Sequence, residues 1–116
     1  MTVQELKILR SLVGQVFVHD SLYHYICKLT QETRQNTYIE LGASPRGTVS
    51  LMRMAQAEAF LHERSYVIPE DVQEVFFDVI AHRILRSSKA RAAKITEKQI
   101  LQLILDQIKA PSPVRS

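Results

Sequence analysis

The sequence has little of several features that mark particular classes of protein. It contains a single cysteine, Cys27, so no disulfide forms within its 116 residues, which fits a reducing compartment. No apolar run approaches the ~18 residues needed to span a bilayer, and the N-terminus lacks the basic and apolar blocks of a signal peptide. These absences predict a soluble, cytoplasmic protein without membrane contact.

Charge of one sign is also not concentrated enough to identify a partner. The net charge of +3 falls well short of the dense arginine and lysine clusters that make nucleic acid the expected partner. A length of 116 residues and a hydrophobic content of 46% are ordinary for one globular domain. Since we find no internal repeat, we expect one domain over residues 1–110, followed by a short C-terminal tail, 111–116.

Apolar residues recur at helical spacing along most of the chain and predict an all-α fold, a small bundle of about five helices. The predicted helices cover about residues 3–13, 20–35, 45–63 and 69–80, and a last one begins after Thr96. Core-facing stripes are expected at Leu6, Leu9 and Val13 in the first helix and at Val49, Met52, Ala55 and Ala59 in the third. Segments 36–43 and 86–95 are expected loops, and very short extended segments at 16–18 and 66–68 are expected to pair.

The third predicted helix starts with an unusual combination of residues. Ser44 is a preferred N-cap residue, Pro45 suits the first helical position, and Arg46 follows in the first turn. A cation beside the partly positive N–H groups of a helix start costs roughly 0.3–1 kcal/mol when exposed. The other predicted starts carry acids or capping boxes, at Thr2–Glu5, Pro69–Asp71 and Thr96–Gln99, and Asp20 is the expected cap of the second helix.

The start at Ser44 therefore predicts that an anionic partner of Arg46 is missing. A guanidinium beside free helix N–H groups suits phosphate or carboxylate, and Gly47 is expected to let a ligand approach the backbone closely. The alternative is that Arg46 simply points into water, as surface arginines commonly do.

Five stretches of the sequence match a known family in their order and spacing. They are Tyr25-Ile26, Thr33-Arg34, Leu41–Arg46 (LGASPR), Arg64–Val72 (RSYVIPEDV) and Ala81-His82-Arg83. From about residue 16 to residue 109 the chain resembles the C-terminal lid domain of MoxR-type AAA+ ATPases.

The resemblance implies a small helical domain that follows a nucleotide-binding core and closes over bound ATP. It assigns the sensor-2 role, a contact with the γ-phosphate, to Arg46, and the supporting turn to Gly42, Ser44, Pro45 and Gly47. ATP, with Mg²⁺, would be bound mainly by the core domain. The implied partners are that core, the other subunits of a hexameric ring and a von Willebrand factor A-domain protein, and the implied role is chaperone-like remodelling.

The chain itself lacks the catalytic parts of such an ATPase. None of its three glycines is followed by lysine, so it contains no GxxxxGK[ST] phosphate loop. It also has no strand-rich segment to hold a Walker-B carboxylate. We therefore expect the nucleotide-binding core to be absent from this chain, which alone should not hydrolyse ATP.

The remaining chemically active residues do not form a recognisable catalytic or metal site. His24 and Cys27 lie three residues apart on a predicted helix, but a zinc site needs three or four ligands, so we predict no metal site. Nothing pairs Cys27 or a serine with a base at an identifiable spacing, so nucleophilic catalysis is not predicted either.

Two basic segments have open interpretations. A run without any acid is either a solvated loop or a contact with an acidic neighbour such as the next ring subunit; it comprises Arg83, Arg86, Lys89, Arg91 and Lys94. Thr33-Arg34 either caps the second helix, which we favour, or supports the turn at Ser44.

The alternative function is a free-standing basic helical module that binds DNA. A recognition helix should expose several arginine, lysine, asparagine or glutamine side chains toward the bases. The third predicted helix offers only Arg53 and Gln56 amid alanines and methionines, so nucleic acid is the less favoured partner.

Overall fold

The computed structural model describes residues 1–112, and these form six α-helices, one 3-10 turn and a two-stranded antiparallel sheet. In chain order the elements are α1 (Val3–Gly14), α2 (Asp20–Thr33), β1 (Ile39–Leu41), α3 (Pro45–Leu61), α4 (Pro69–Ile80), the 3-10 turn (Ala81–Arg83), β2 (Leu85–Arg86), α5 (Ser88–Ala92) and α6 (Glu97–Gln107). The predicted all-α class is confirmed, with one helix more than expected. Most of the predicted tail, residues 113–116, lies outside the described residues. None of the helices in residues 1–112 combines the length and apolarity needed to cross a membrane.

One apolar cluster between α2, α3, α4 and α6 holds the bundle together. Its largest fully buried apolar side chains are Phe76, Ile26, Leu29, Leu51, Ile80, Ile100, Leu101, Ile104 and Val72. Burying a side chain of this kind stabilises the fold by about 1.5–3 kcal/mol. Within this bundle α3 packs against α2 and α4, and this packing fixes its position.

Helix α3 makes its most extensive contact with α4, and its buried row consists of small residues except for Leu51. Gly47, Leu51, Ala55 and Ala59 recur every four residues and are all buried, and small side chains in such a row let two helix axes approach. The predicted stripe is correct for Ala55 and Ala59 and partly correct for Met52, which is half-buried against the core, but wrong for Val49, which is 44% exposed. Val49 is exposed because it lies about half a turn around the helix from the buried row.

Helix α1 differs from the other long helices because none of its side chains is buried in the described structure. Leu6 is 48% exposed, and Leu9 and Val13 are half-buried. The expected stripe therefore does not reach the core, since α1 rests mainly on α3 and keeps its other sides in water.

The start of α2 also corrects a predicted cap. The N-cap residue is His19, whose Nδ1 accepts a hydrogen bond from the Ser21 backbone N–H at 3.0 Å. Asp20 instead lies in the first turn, where its charge favours the helix start.

The predicted pairing of extended segments is confirmed by a parallel bridge between Phe17 and Tyr66. The Phe17 N–H donates to the Ser65 carbonyl at 2.8 Å, and the Val67 N–H donates to the Phe17 carbonyl at 2.9 Å. This bridge ties the start of α2 to the start of α4.

Both segments expected to be loops contain regular structure. β1 and β2 pair antiparallel, with Ile39 opposite Arg86. The short helix α5 follows Ser87, whose hydroxyl accepts from the Ala90 N–H at 3.3 Å, and Ala90 is fully buried. Strands of two or three residues and a five-residue helix are too short to show a clear hydrophobic period.

Candidate functional site at the start of helix α3

The first turn of α3 begins where the sequence predicts it. Ser44 is the N-cap residue in an extended conformation and Pro45 is the first helical residue. The Ser44 hydroxyl, however, makes no cap hydrogen bond to any described residue. The Ser44 carbonyl accepts from the N–H groups of Gly47 and Thr48, at 2.9 and 3.2 Å. Since Pro45 has no N–H and the Gly47 N–H is already bonded, few backbone donors of this turn remain for a ligand, and Arg46 is the main source of positive charge.

Arg46 is exposed in this turn and has no hydrogen bond or ion pair with any residue of the 1–112 range. No acid accompanies it, because the first turn of α3 contains none. The guanidinium is thus free to bind an anion that approaches from outside the described chain.

The backbone just before α3 is held by the end of α2. The Thr33 hydroxyl accepts from the Ala43 N–H at 3.0 Å, and the Arg34 Nε donates to the Ala43 carbonyl at 2.7 Å. Thr33 and Ala43 are 0% and 1% exposed. Thr33-Arg34 therefore supports the turn at Ser44. Capping of α2, the favoured sequence interpretation, is also confirmed, because Arg34 is the C-cap residue and its backbone N–H donates to the Gln31 carbonyl.

Gly42 is required by a close approach of two backbone segments. A Cβ at this position would lie 2.5 Å from the Thr33 carbonyl oxygen and 2.7 Å from the Arg34 Cα. Real Cβ atoms essentially never come that close to backbone atoms, so the loop reaches its position against α2 only with glycine.

Gly47 is buried, which corrects the expectation that a ligand approaches the backbone there. A Cβ at Gly47 would lie 3.2 Å from the Ala43 Cβ and 3.4 Å from the Arg83 Cδ. The space beside Gly47 is filled by Arg83, whose guanidinium donates to the Ser50 hydroxyl at 3.3 Å. Sequence reasoning assigned Arg83 to the basic run and missed its position beside α3, although Ala81-His82-Arg83 was part of the resemblance.

A second polar link joins α2 to α3 inside the bundle. The Thr48 hydroxyl donates to the Thr30 hydroxyl at 2.9 Å, and Thr30 in turn donates to the Ile26 carbonyl at 3.2 Å. Thr30 is 1% exposed. Buried polar groups that are satisfied in this way favour a single arrangement of the two helices.

The start of α4 shows how another helix of this chain compensates its first turn. Asp71 is 2% exposed, its Oδ2 accepts from the Ile68 N–H at 2.8 Å, and its Oδ1 forms an ion pair with Arg64. Burial raises the pKa of Asp71 above its usual value, against the opposing effects of the Ile68 hydrogen bond and the Arg64 charge.

The basic run is more ordered than either sequence interpretation proposed. Arg86 donates to the Ile95 carbonyl at 2.8 Å, Arg91 donates to the Arg86 carbonyl at 2.7 Å, and the Lys89 ammonium lies 5.2 Å from the centre of the Tyr38 ring. With Arg83, which donates to the Ser50 hydroxyl, four of its five cations therefore contact other parts of the same chain.

The remaining candidate residues do not gather into a site. His24 and Cys27 are both exposed on α2, and within residues 1–112 no three His, Cys, Asp or Glu side chains lie where they could hold a metal ion. Of the two residues considered for a DNA-recognition helix, Gln56 is buried and donates to the Val16 carbonyl at 2.9 Å. Arg53 is exposed.

Comparisons with known proteins identify a family and several relatives to which the chain is similar. A family model of the AAA lid domain matches residues 31–104. The chain is 37% identical over 108 residues to the uncharacterized protein YeaC of Bacillus subtilis, a match that covers 93% of this chain and 34% of YeaC. It is 28% identical over 120 residues to chaperone MoxR1 of Mycobacterium tuberculosis, covering 96% of this chain and 32% of MoxR1.

A crystal structure shows the same fold. It belongs to a candidate ATPase from Cytophaga hutchinsonii, which superposes with a TM-score of 0.87 and 34% sequence identity. The superposition covers 94% of this chain and 36% of that one. The chain thus spans about a third of the length of the relatives it matches.

Proposed function

Because the chain belongs to the AAA lid domain family and is of the MoxR type, we propose that it is the lid of a AAA+ ATPase in which Arg46 is the sensor-2 residue. In this role the Arg46 guanidinium contacts the γ-phosphate of ATP, which is held with Mg²⁺ mainly by a core domain outside this chain. A cation placed there stabilises the charge that develops on the phosphoryl group during transfer.

One observation carries the proposal. Arg46 is an exposed arginine that has no partner within residues 1–112, in a helix start that contains no acid. The loop before it is held by a buried and a part-buried hydrogen bond, so the backbone position of Arg46 is well defined although its ligand lies elsewhere. A triphosphate would supply the missing negative charge.

The wider role follows from the family. We propose that the parent protein is a cytoplasmic ATPase that assembles into a hexameric ring, with the core domain of the same polypeptide as the first partner of this lid. The relative named chaperone MoxR1 supports a chaperone-like remodelling activity, in which lid rotation transmits the nucleotide state to the ring. A von Willebrand factor A-domain protein is the proposed external partner.

The test is the turnover of ATP by the complete ATPase that carries this lid. We expect Arg46→Ala to lower kcat by roughly 100-fold to 1,000-fold, as the loss of one preorganised charge-stabilising donor commonly does. Arg53→Ala, which removes an exposed arginine further along α3, is the matched control and should keep wild-type turnover. Unchanged turnover in Arg46→Ala would remove the sensor-2 assignment.

A further inference from the structure

Two consecutive residues at the end of α2 bind both backbone polar groups of a single residue in the loop before α3. The Thr33 hydroxyl accepts from the Ala43 N–H at 3.0 Å, and the Arg34 Nε donates to the Ala43 carbonyl at 2.7 Å. Together these bonds fix the peptide planes on both sides of Ala43, three residues before Arg46. We call the pair Thr33-Arg34 the α2 bracket.

The α2 bracket restrains the start of α3 directly at the loop that leads into it. The Ser44 hydroxyl makes no cap bond within the described structure, so the helix start is not fixed by its own N-cap side chain. The close packing of Gly42 on Thr33 holds the loop at the same place. The direction in which the first turn leaves the loop, and with it the Cα position of Arg46, is therefore set from α2.

The residue types suit this task. Thr33 is fully buried, and its hydroxyl also donates to the Thr30 carbonyl, so it serves as both donor and acceptor at a site without solvent. Arg34 contributes a planar group with several N–H donors in fixed directions, of which Nε is used for the loop. Among the residues of the described chain, Arg34 has no acidic partner, so its described contact is this backbone bond.

We propose that Thr33 and Arg34 are positioning residues that direct Arg46 toward the nucleotide, an inference that rests on the proposed sensor-2 role. A long exposed side chain has many orientations, and the backbone from which it starts decides which phosphate oxygen it reaches. A misplacement of about 1 Å by a distant change can lower a rate by about 100-fold. Thr33 and Arg34 would thus affect the rate of ATP hydrolysis through the position of Arg46, without contacting ATP themselves.

The kinetic test uses the complete ATPase. We expect Arg34→Ala to lower kcat by roughly 10-fold to 100-fold and to change KM less, because the contact being misplaced acts on the transition state. In the Arg46→Ala background, Arg34→Ala should have little further effect, since its role passes through Arg46. Arg10→Ala, on the exposed face of α1, is the charge-matched control.

The structural test uses amide hydrogen exchange of the 116-residue chain, followed by NMR. Thr33→Val removes the acceptor of the Ala43 N–H and should speed exchange at Ala43, whereas Thr33→Ser keeps a hydroxyl and should restore slow exchange. In the complete enzyme Thr33→Ser should likewise keep most of the turnover that Thr33→Val loses. If Thr33→Val fails to fold, Arg34→Ala, which changes an exposed residue, still gives both measurements.

The outcomes separate the two proposals. Wild-type kcat in Arg34→Ala, combined with slow turnover in Arg46→Ala, overturns the positioning role and leaves the sensor-2 role intact. A loss in Arg34→Ala that is equally large in the Arg46→Ala background also overturns positioning, because the effect then bypasses Arg46. Unchanged turnover in Arg46→Ala contradicts both, whatever the exchange rate at Ala43.

Discussion

Helices α3 and α4 begin with the same backbone arrangement but carry opposite charges in their first turns. Each begins with proline after an extended residue, so that Arg46 corresponds to Glu70 and Gly47 to Asp71. At α4 the third helical residue turns back to accept the backbone N–H of the residue before proline, at 2.8 Å. At α3 the corresponding residue is a buried glycine, and the charge beside it is positive.

The difference shows that the two starts are stabilised from different directions. α4 is completed locally, by an acid of its own first turn and by the nearby Arg64. α3 is held from α2 by the bracket, through bonds to the loop, and its own first turn keeps an uncompensated cation. A helix start whose N–H groups and charges are paired within the chain stabilises the fold. A helix start with an unpaired cation is suited to binding an anionic ligand.

The largest effect on stability is expected at the locally completed start. Asp71→Ala should lower the free energy of unfolding of the 116-residue chain by about 3 kcal/mol, because it leaves the Arg64 charge and the Ile68 N–H without their partner. Urea unfolding followed by circular dichroism measures the change. Glu70→Ala, which removes the neighbouring exposed acid, should cost less than about 1 kcal/mol. Equal losses in the two variants would contradict the proposed local completion of α4.

The next effect concerns the loop before α3. Gly42→Ala should cost about 1–3 kcal/mol, since its Cβ would lie 2.5 Å from the Thr33 carbonyl oxygen and the backbone would have to shift. Gly14→Ala is the matched control, because a Cβ there meets nothing within 4 Å. The control should be neutral or slightly stabilising, by up to about 1 kcal/mol, because alanine favours helix. If the two variants unfold at the same urea concentration, the close approach at Gly42 does not exist in solution.

The smallest change in the free energy of unfolding is expected at Arg46, where one substitution, Arg46→Glu, should be stabilising. Arg46→Glu places an anion in the first turn of α3 and should stabilise the isolated chain by about 0.3–1 kcal/mol. Arg46→Ala should stay within about 0.5 kcal/mol of wild type. Both variants should lose turnover in the complete ATPase. A large destabilisation by either in urea unfolding would mean that Arg46 serves the fold and not a ligand.

The sequence predicts the helices of the core because caps and apolar periods are local signals. The N-cap position of Ser44, the capping box from Thr96 to Gln99 and the extended segments at 16–18 and 66–68 are confirmed. β1, β2 and α5 were missed because they are too short to show a period. The stripe of α1 was misjudged because periodicity shows that a face is apolar, not that a second element covers it.

The candidate site could be predicted in part. The charge of Arg46 and its place in a first turn follow from residues 44–46 alone. The contacts of Thr33 and Arg34 with Ala43 span nine or ten residues and that of Arg83 with Ser50 spans 33, beyond the range of local helix and cap signals. Both roles considered for Thr33-Arg34 are present: the backbone of Arg34 caps α2, and the side chains of the two residues support the turn at Ser44.

The most direct measurement is a structure of the complete ATPase with Mg²⁺ and a non-hydrolysable ATP analogue bound. We expect a guanidinium nitrogen of Arg46 to lie about 2.7–2.9 Å from a γ-phosphate oxygen, with the Arg34 bond to the Ala43 carbonyl intact. An Arg46 side chain directed into solvent, away from a fully occupied nucleotide, would contradict the conclusion that the open charge at the start of α3 is completed by ATP.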